Sequence, residues 1–264
     1  MGVVTFLSDY GLADDFVGVC HGVIARIAPN ARVIDLTHGI PRHDVRSGAL
    51  TMARALPYMP AGVHLAVVDP EVGAERRAVA IRCAQDDRLL VGPDNGLLMP
   101  AAEAFGGAVE AVDVGRSPHR LEPLAATFHG RDIFAPVAGH LAAGASLAGA
   151  GDPFPADELA PLALPRPVLG DGRIEAHALA VDGFGNVQLD VTHDQVAGSG
   201  LKLGRAVTVN GVPAHYARTF ADVPPGGLLL YEDAYRSLAL AVNRGSAQAE
   251  LGLALDDAVV LGPA

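Results

Sequence analysis

The regular exchange of short apolar runs with helix-period stretches constrains this chain more than any other feature. V-V-T-F-L (3–7) leads into D-D-F-V-G-V-C-H-G-V-I-A-R-I-A (14–28), then R-V-I-D-L (32–36), then D-V-R-S-G-A-L-T-M-A-R-A-L (44–56), then V-H-L-A-V-V (63–68). Strand-length runs separated by amphipathic stretches of this length predict βαβ units, hence an α/β domain with a mainly parallel sheet flanked by helices on both faces. Open sheets of that kind bind ligands beyond the carboxyl ends of their strands. Ser8-Asp9, Thr37-His38 and Asp69 are therefore expected to share one rim.

The pattern breaks after Gly144. A-G-A-G-D-P-F-P-A-D-E-L-A-P-L-A-L-P-R-P (148–167) is rich in Pro, Gly and Ala without periodicity, and reads as a surface linker. Beyond it, I-E-A-H-A-L-A-V, A-V-T-V, L-L-L-Y and S-L-A-L-A-V are separated by turn signals such as N-G and P-P-G-G. Closely spaced strands predict a smaller all-β barrel domain. The expected division is residues 1–150, a linker over 151–167, and a β-barrel domain over 168–264.

Composition excludes several function classes. The formal charge of −11 disfavours a nucleic-acid partner, because a phosphate backbone is held by clustered Lys and Arg. No apolar stretch reaches the roughly 18 residues of a membrane span. The opening M-G-V-V-T-F-L-S-D-Y has neither a basic leader nor a small-residue cleavage site, so the expected location is cytoplasmic. Cys20 and Cys83 have no metal or redox spacing and are assigned no role.

Several stretches carry residues suited to chemistry, each with a structural alternative. In S-D-Y-G-L-A-D-D-F, Asp14 and Asp15 suit a helix cap, while Asp9 at a strand tip suits a ribose diol. The same carboxylates also suit a hard cation. P-D-N-G-L-L (93–98) reads as a turn with Gly96 at positive φ, with Asn95 available to line a cleft. T-F-H-G-R-D-I-F-A-P (127–136) places His129 at the mouth of a helix, as a structural imidazole or a titrating one. V-D-G-F-G-N-V (181–187) is either a hairpin in which Asp182 and Asn186 bond their own turn, or a clamp with Phe184 as a stacking plate. V-V-D-P-E-V-G-A-E-R-R (67–77) ends a strand on a carboxylate and returns through a glycine to arginines, a salt-bridged loop on its own.

Taken in order, S-D-x-G-x-x-D-D, D-L-T-H, V-D-P-x-V-G-x-x-R, P-D-N-G-L-L, F-H-G-R-D-I-F-A-P and D-x-F-G-N span almost the whole chain. This series resembles the S-adenosylmethionine hydroxide adenosyltransferases, relatives of the fluorinase and chlorinase. The resemblance implies hydrolysis of S-adenosylmethionine to adenosine and L-methionine, with no cofactor and no metal. It also implies a homotrimer whose active sites lie between the N-terminal domain of one subunit and the C-terminal domain of the next. By the same resemblance Asp69, Arg76 and His129 form the water-activating set, and Asp9 holds the ribose hydroxyls. Asp14, Asp182 and Asn186 hold the methionine or neighbouring groups, Phe184 and Phe220 lie near the adenine or ribose, and Phe128 walls the pocket.

Departures from the fluorinase pattern also point to water as nucleophile. R-C-A-Q-D-D-R-L-L-V-G joins the hairpin strand directly to the P-D-N-G-L-L motif without the fluorinase's extra loop. Gly130 and Asp69 stand where that branch has serine and tyrosine. Glu71 replaces the usual glycine, and Ala234 followed by Tyr235 replaces the usual serine contact to the methionine carboxylate. The competing expectations are a chlorinase-like halogenase, a metal-dependent nucleotidase using Asp9, Asp14 and Asp15, and an S-adenosylmethionine-binding protein without turnover.

Overall fold

The computed structural model describes residues 2–170 and 172–264. The chain divides into two compact units, the first ending at Ala163 and the second beginning at Leu164.

The first unit runs β1 (Val3–Ser8), α1 (Phe16–Ile27), β2 (Arg32–Thr37), α2 (Val45–Ala55), β3 (Val63–Val67), β4 (Ala78–Cys83), β5 (Leu89–Pro93), α3 (Met99–Ala104), β6 (Ala108–Asp113), α4 (Ala135–Ala142) and β7 (Asp152–Phe154). Its seven strands form one sheet in the order β2-β1-β3-β5-β4-β6-β7. Strands β2, β1, β3 and β5 pair in parallel, as the βαβ pattern predicts. From β4 onward the pairing is antiparallel, because β4 and β5 are joined by a tight turn with no crossover helix.

Successive side chains of a strand point to opposite faces, and β1 is apolar on both. Phe6 packs with α1 and α4 residues such as Cys20, Ile24 and Val137, whereas Leu7 packs on the opposite side with Ala49, Met52 and Ala101 of α2 and α3. The sheet is thus covered twice, and strands buried on both faces read as continuous apolar runs rather than alternating ones. Burial pushes the Cys20 thiol up to about 12 and the Cys83 thiol up to about 11. Neither offers a thiolate at neutral pH.

The expected linker over 151–167 is different in its first half. Asp152–Phe154 pairs with β6 as the edge strand β7, and Leu159 is buried against the α2–α3 side of the sheet. Arg77 anchors the segment by donating from Nη2 to Glu158 (2.8 Å) and by lying 4.5 Å over the Phe154 ring. A three-residue strand containing a proline is too short to show a period, so its place in the sheet was invisible in the sequence.

The second unit contains β8 (Val168–Gly170), β9 (Arg173–Val181), β10 (Val187–Thr192), β11 (Ala206–Val209), β12 (Val212–Tyr216), β13 (Leu228–Glu232), β14 (Ser237–Val242), α5 (Ala247–Leu251) and β15 (Ala258–Pro263). Its order is β10-β14-β13-β12-β11-β15-β9-β8, and β10 pairs again with β9. That second pairing closes a seven-stranded barrel with β8 as an outer addition. Alternation is clean here: in β9, Ile174, Ala176 and Ala178 turn inward while Arg173 and Glu175 face out. No helix among the described residues is long and apolar enough to cross a membrane.

Candidate active site

Strand β1 is followed in sequence by β2 on one side of it and by β3 on the other. Strand order therefore reverses about β1, and such a switch point opens a crevice at the carboxyl ends. Asp9 leaves the end of β1 and Asp69 follows β3, so the two carboxylates stand at one cavity. The cavity holds about 290 Å³ and is lined by Asp9, Tyr10, Asp14, Phe16, Arg42, His43, Asp69, Phe128, His129 and Gly130, among others.

Asp69 and Arg76 are the two ends of the loop between β3 and β4. Arg76 donates from Nε to Asp69 Oδ1 (2.9 Å) and from Nη2 to Asp69 Oδ2, a two-pronged fork. Gly73 makes this loop possible: its φ is 82°, and a Cβ there would come within 2.7 Å of the Ala126 carbonyl oxygen. The glycine thereby packs the loop directly against the segment that delivers His129. The Glu71 side chain is exposed and does not line the cavity.

His129 precedes a π-helical turn (Gly130–Phe134) that runs into α4. Widened turns of this kind re-aim side chains at functional sites. Arg76 Nη2 lies 2.9 Å from His129 Nδ1. A guanidinium has only donors, so Nδ1 accepts and the imidazole proton sits on Nε2. Burial, then the positive charge of Arg76, holds the His129 pKa below its ordinary value. The side chains of Asp69 and Arg76 are 6% and 5% exposed, and Arg76 braces both partners without lining the cavity itself.

The wall is aromatic. Phe128 stands edge-on to Tyr10 (6.0 Å, 79°) and to Phe16 (5.1 Å, 83°), the arrangement ring quadrupoles favour. Burial pushes the Tyr10 hydroxyl well above its ordinary pKa, leaving a neutral phenol. It lies so close to Gly130 that a Cβ there would meet it at 2.1 Å.

Of the residues expected in the site, Asp9, Asp14, Asp69, Phe128 and His129 come together in this cavity, with Arg76 behind them. Asp9 Oδ2 already accepts the His43 amide (2.9 Å). Asp15 occupies the N-cap position of α1 but its side chain makes no capping bond. Asn95 does not line the cavity. Its Nδ2 donates to the Val68 carbonyl (2.9 Å) and its Oδ1 accepts the Leu97 amide (3.2 Å), which fixes the strand tip before Asp69. His38 also turns away from the cavity, toward Ser8. In the second unit, Asp182 accepts the Phe184 and Asn186 amides and the Asn186 side chain, so the turn is self-bonded, while Phe184 is 82% exposed and Phe220 packs beside Tyr231.

Sequence reasoning missed Tyr10, Phe16, Arg42 and His43. A signal existed for two of them, since P-R-H-D continues the loop that begins at the carboxyl end of β2. For the two rings no pattern distinguishes a pocket wall from core.

A switch-point carboxylate pair, a guanidinium–imidazole brace and a separate seven-stranded barrel unit define a two-unit α/β-plus-barrel protein built to bind a small polar molecule in a partly aromatic cavity. The chain belongs to the SAM hydroxide adenosyltransferase family: the model of its N-terminal domain matches residues 4–151 and that of its C-terminal domain matches residues 176–260. An (R)-S-adenosyl-L-methionine hydrolase of Salinispora arenicola is 52% identical over 92% of this chain and 91% of its own length. A protein of the same name from Thermus thermophilus is 42% identical over 96% of both. The crystal structure of an uncharacterized conserved protein from Thermotoga maritima superposes with a TM-score of 0.91 at 34% identity, covering 98% of this chain and 99% of that one. Fluorinases are more distant, at 28% identity for one from Actinoplanes.

Proposed function

We propose that this protein hydrolyses S-adenosyl-L-methionine to adenosine and L-methionine, acting on the (R) epimer at sulfur that names its relatives. The observation that carries the reading is the Asp69–Arg76–His129 cluster at the cavity shared with Asp9.

The sulfonium is already an activated leaving group, so the chemistry reduces to presenting a nucleophile in line with the C5′–S bond. No metal or cofactor is needed for that step. The carboxylate of Asp69 offers about four acceptor positions, and Arg76 uses one on each oxygen. The remaining ones suit a water proton. His129, neutral with its hydrogen on Nε2, suits one water lone pair, leaving the other to attack C5′. As the C–O bond forms, the C–S electron pair leaves on the methionine sulfur and the water proton passes to Asp69. Positioning and base help of this sort contribute to the rate together.

Asp9 suits the ribose hydroxyls, Asp14 the methionine ammonium, and Arg42 is the cation lining the cavity that suits the methionine carboxylate. A volume of about 290 Å³ lies at the lower end of the roughly 300–1,000 Å³ of small-molecule pockets. We therefore assign further walls to Asp182, Phe184, Asn186 and Phe220 of a neighbouring copy in a homotrimer acting in the cytoplasm, with no nucleic-acid partner.

The experiment is product identification from separated (R) and (S) epimers, with and without chloride. Adenosine and methionine from the (R) epimer are expected. A halogenated nucleoside as main product, or no turnover of either epimer, overturns the proposal. A pH prediction accompanies it. Protonating His129 at Nδ1 breaks its bond to Arg76 and sets cation against cation, so kcat/KM falls as pH drops through the lowered pKa of His129. The acid limb should lie below about 6.5, the ordinary histidine value. His129→Gln, which keeps an acceptor, should displace that limb to lower pH; a limb unchanged in the variant removes His129 from the profile.

A further inference from the structure

Outside the cavity, β2 and α1 bring together a second cluster that the reaction does not use. His21 projects from α1, Asp35 from β2, and His38 from the turn just past β2. Their ligand atoms, His21 Nε2, Asp35 Oδ1 and His38 Nε2, lie within 4.8 Å of one another. None of the three lines the cavity of Asp69.

The state of His38 is what makes this more than a surface ion pair. It is 5% exposed, and its Nε2 is buried without a hydrogen-bond partner, although Asp35 Oδ1 stands 3.1 Å away. Its other nitrogen, Nδ1, meets Ser8 Oγ at 2.8 Å, and that hydroxyl oxygen also accepts the Tyr10 amide at 3.3 Å. If Nδ1 carries the hydrogen and donates to Ser8, Nε2 holds a bare lone pair beside a carboxylate oxygen. If Nε2 carries it, the hydrogen makes no bond even to Asp35 Oδ1 at 3.1 Å, an oxygen that His21 Nε2 already meets at 2.8 Å. Either tautomer leaves Nε2 without a hydrogen bond, and a cation would satisfy the bare lone pair of the first. Donation by the distal ring nitrogen to a fixed oxygen is how metal-binding histidines are oriented.

We propose that His21, Asp35 and His38 bind a divalent first-row transition ion such as Zn²⁺, with Ser8 orienting His38. Two imidazoles and one carboxylate suit that class of ion rather than Mg²⁺ or Ca²⁺. Ligand bonds of about 2.0–2.1 Å in a tetrahedron set ligand atoms about 3.3 Å apart. The present separations of 2.8 Å (His21 to Asp35) and 3.1 Å (His38 to Asp35) lie within about half an ångström of that spacing, and the two imidazole nitrogens are within 4.8 Å of each other. Three protein ligands leave the remaining position to water, on the side where His21 and Asp35 are 35% and 40% exposed. The ion would tie the edge strand β2 to α1 and hold the turn whose His38 carbonyl accepts the Gly11 amide (2.8 Å).

The test uses the untagged full chain, stripped with chelator and titrated with Co²⁺ by visible absorption and with Zn²⁺ by calorimetry. One ion per chain is expected, with d–d bands that Zn²⁺ abolishes, and a Zn²⁺-dependent rise in Tm. His21→Ala and Asp35→Asn remove partly exposed ligands and should keep the metal-free Tm near that of the unsubstituted chain. Both should weaken Co²⁺ binding by more than the roughly 10–100-fold that loss of an outer-shell partner brings. Absence of one-to-one binding overturns the site, and so does undiminished affinity in both variants, which would move the ion to other histidines.

Discussion

Asp69→Asn slows adenosine formation by about 10²–10⁴-fold, the usual contribution of a positioned acid or base, while S-adenosylmethionine affinity stays within a few-fold. A hundredfold loss is about 2.7 kcal/mol in the barrier. The amide keeps the shape of the carboxylate but offers an acceptor on one arm only, so Arg76 loses one of its two bonds and the water loses its proton acceptor. The measurement is single-turnover product formation beside equilibrium binding of the substrate. A pure loss of rate places Asp69 on the nucleophile, whereas an equal loss of affinity would place it on the substrate, and unsubstituted turnover would remove it from the mechanism. Arg76 calls for a different reading. Its removal leaves a carboxylate only 6% exposed without a partner, so stability falls as well as rate, by an amount on the order of 3–5 kcal/mol for a broken buried pair.

Gly130→Ser is the second large effect, and it acts through Tyr10. A Cβ at Gly130 would lie 2.1 Å from the Tyr10 hydroxyl and 3.1 Å from its Cζ. The ring must swing away, and with it goes the edge-on contact to Phe128 that walls the cavity. Overpacking of this kind typically destabilises by about 1–3 kcal/mol, and a displaced wall beside His129 should slow turnover by at least tenfold, or about 1.4 kcal/mol. The check is a pair of variants. Gly130→Ala should show the same two losses, and Gly130→Ala combined with Tyr10→Phe should recover much of both, because removing the hydroxyl leaves only the 3.1 Å contact to relax. No recovery in the double variant would mean that Gly130 is required for its backbone in the π-helical turn and not for the space it leaves.

Much of the fold and part of the site are legible without coordinates, for reasons that differ from residue to residue. Burial of a sheet on two faces demands apolar runs, and burial of a barrel on one face demands alternation, so both units announce themselves in local pattern. Asp9 and Asp69 are legible because a carboxylate just past an apolar run has one place to go, the carboxyl end of a strand. His129 and Arg76 are legible only through the order of motifs, since a lone histidine or arginine carries no partner in its own neighbourhood.

What the sequence by itself determined is most of the strands and helices, though not the edge strand β7, the division into an α/β unit and a barrel, and the presence of Asp69, Arg76 and His129 in a loop and at a helix mouth. The tertiary structure alone decided who touches whom. Arg76 meets His129 across 53 positions of sequence, and that contact, through the donor-only guanidinium, selects the imidazole tautomer. Asn95, a candidate for the cleft by its turn, is committed to the Val68 carbonyl because β5 ends beside β3. Tyr10, Phe16 and Phe128 become a wall instead of core only because the strand order reverses at β1 and leaves a crevice there. The His21–Asp35–His38 cluster exists because His21 of α1 reaches Asp35 on β2, the strand at the sheet edge. In each case periodicity reports which face a residue takes, and only the packing of distant segments reports what stands opposite.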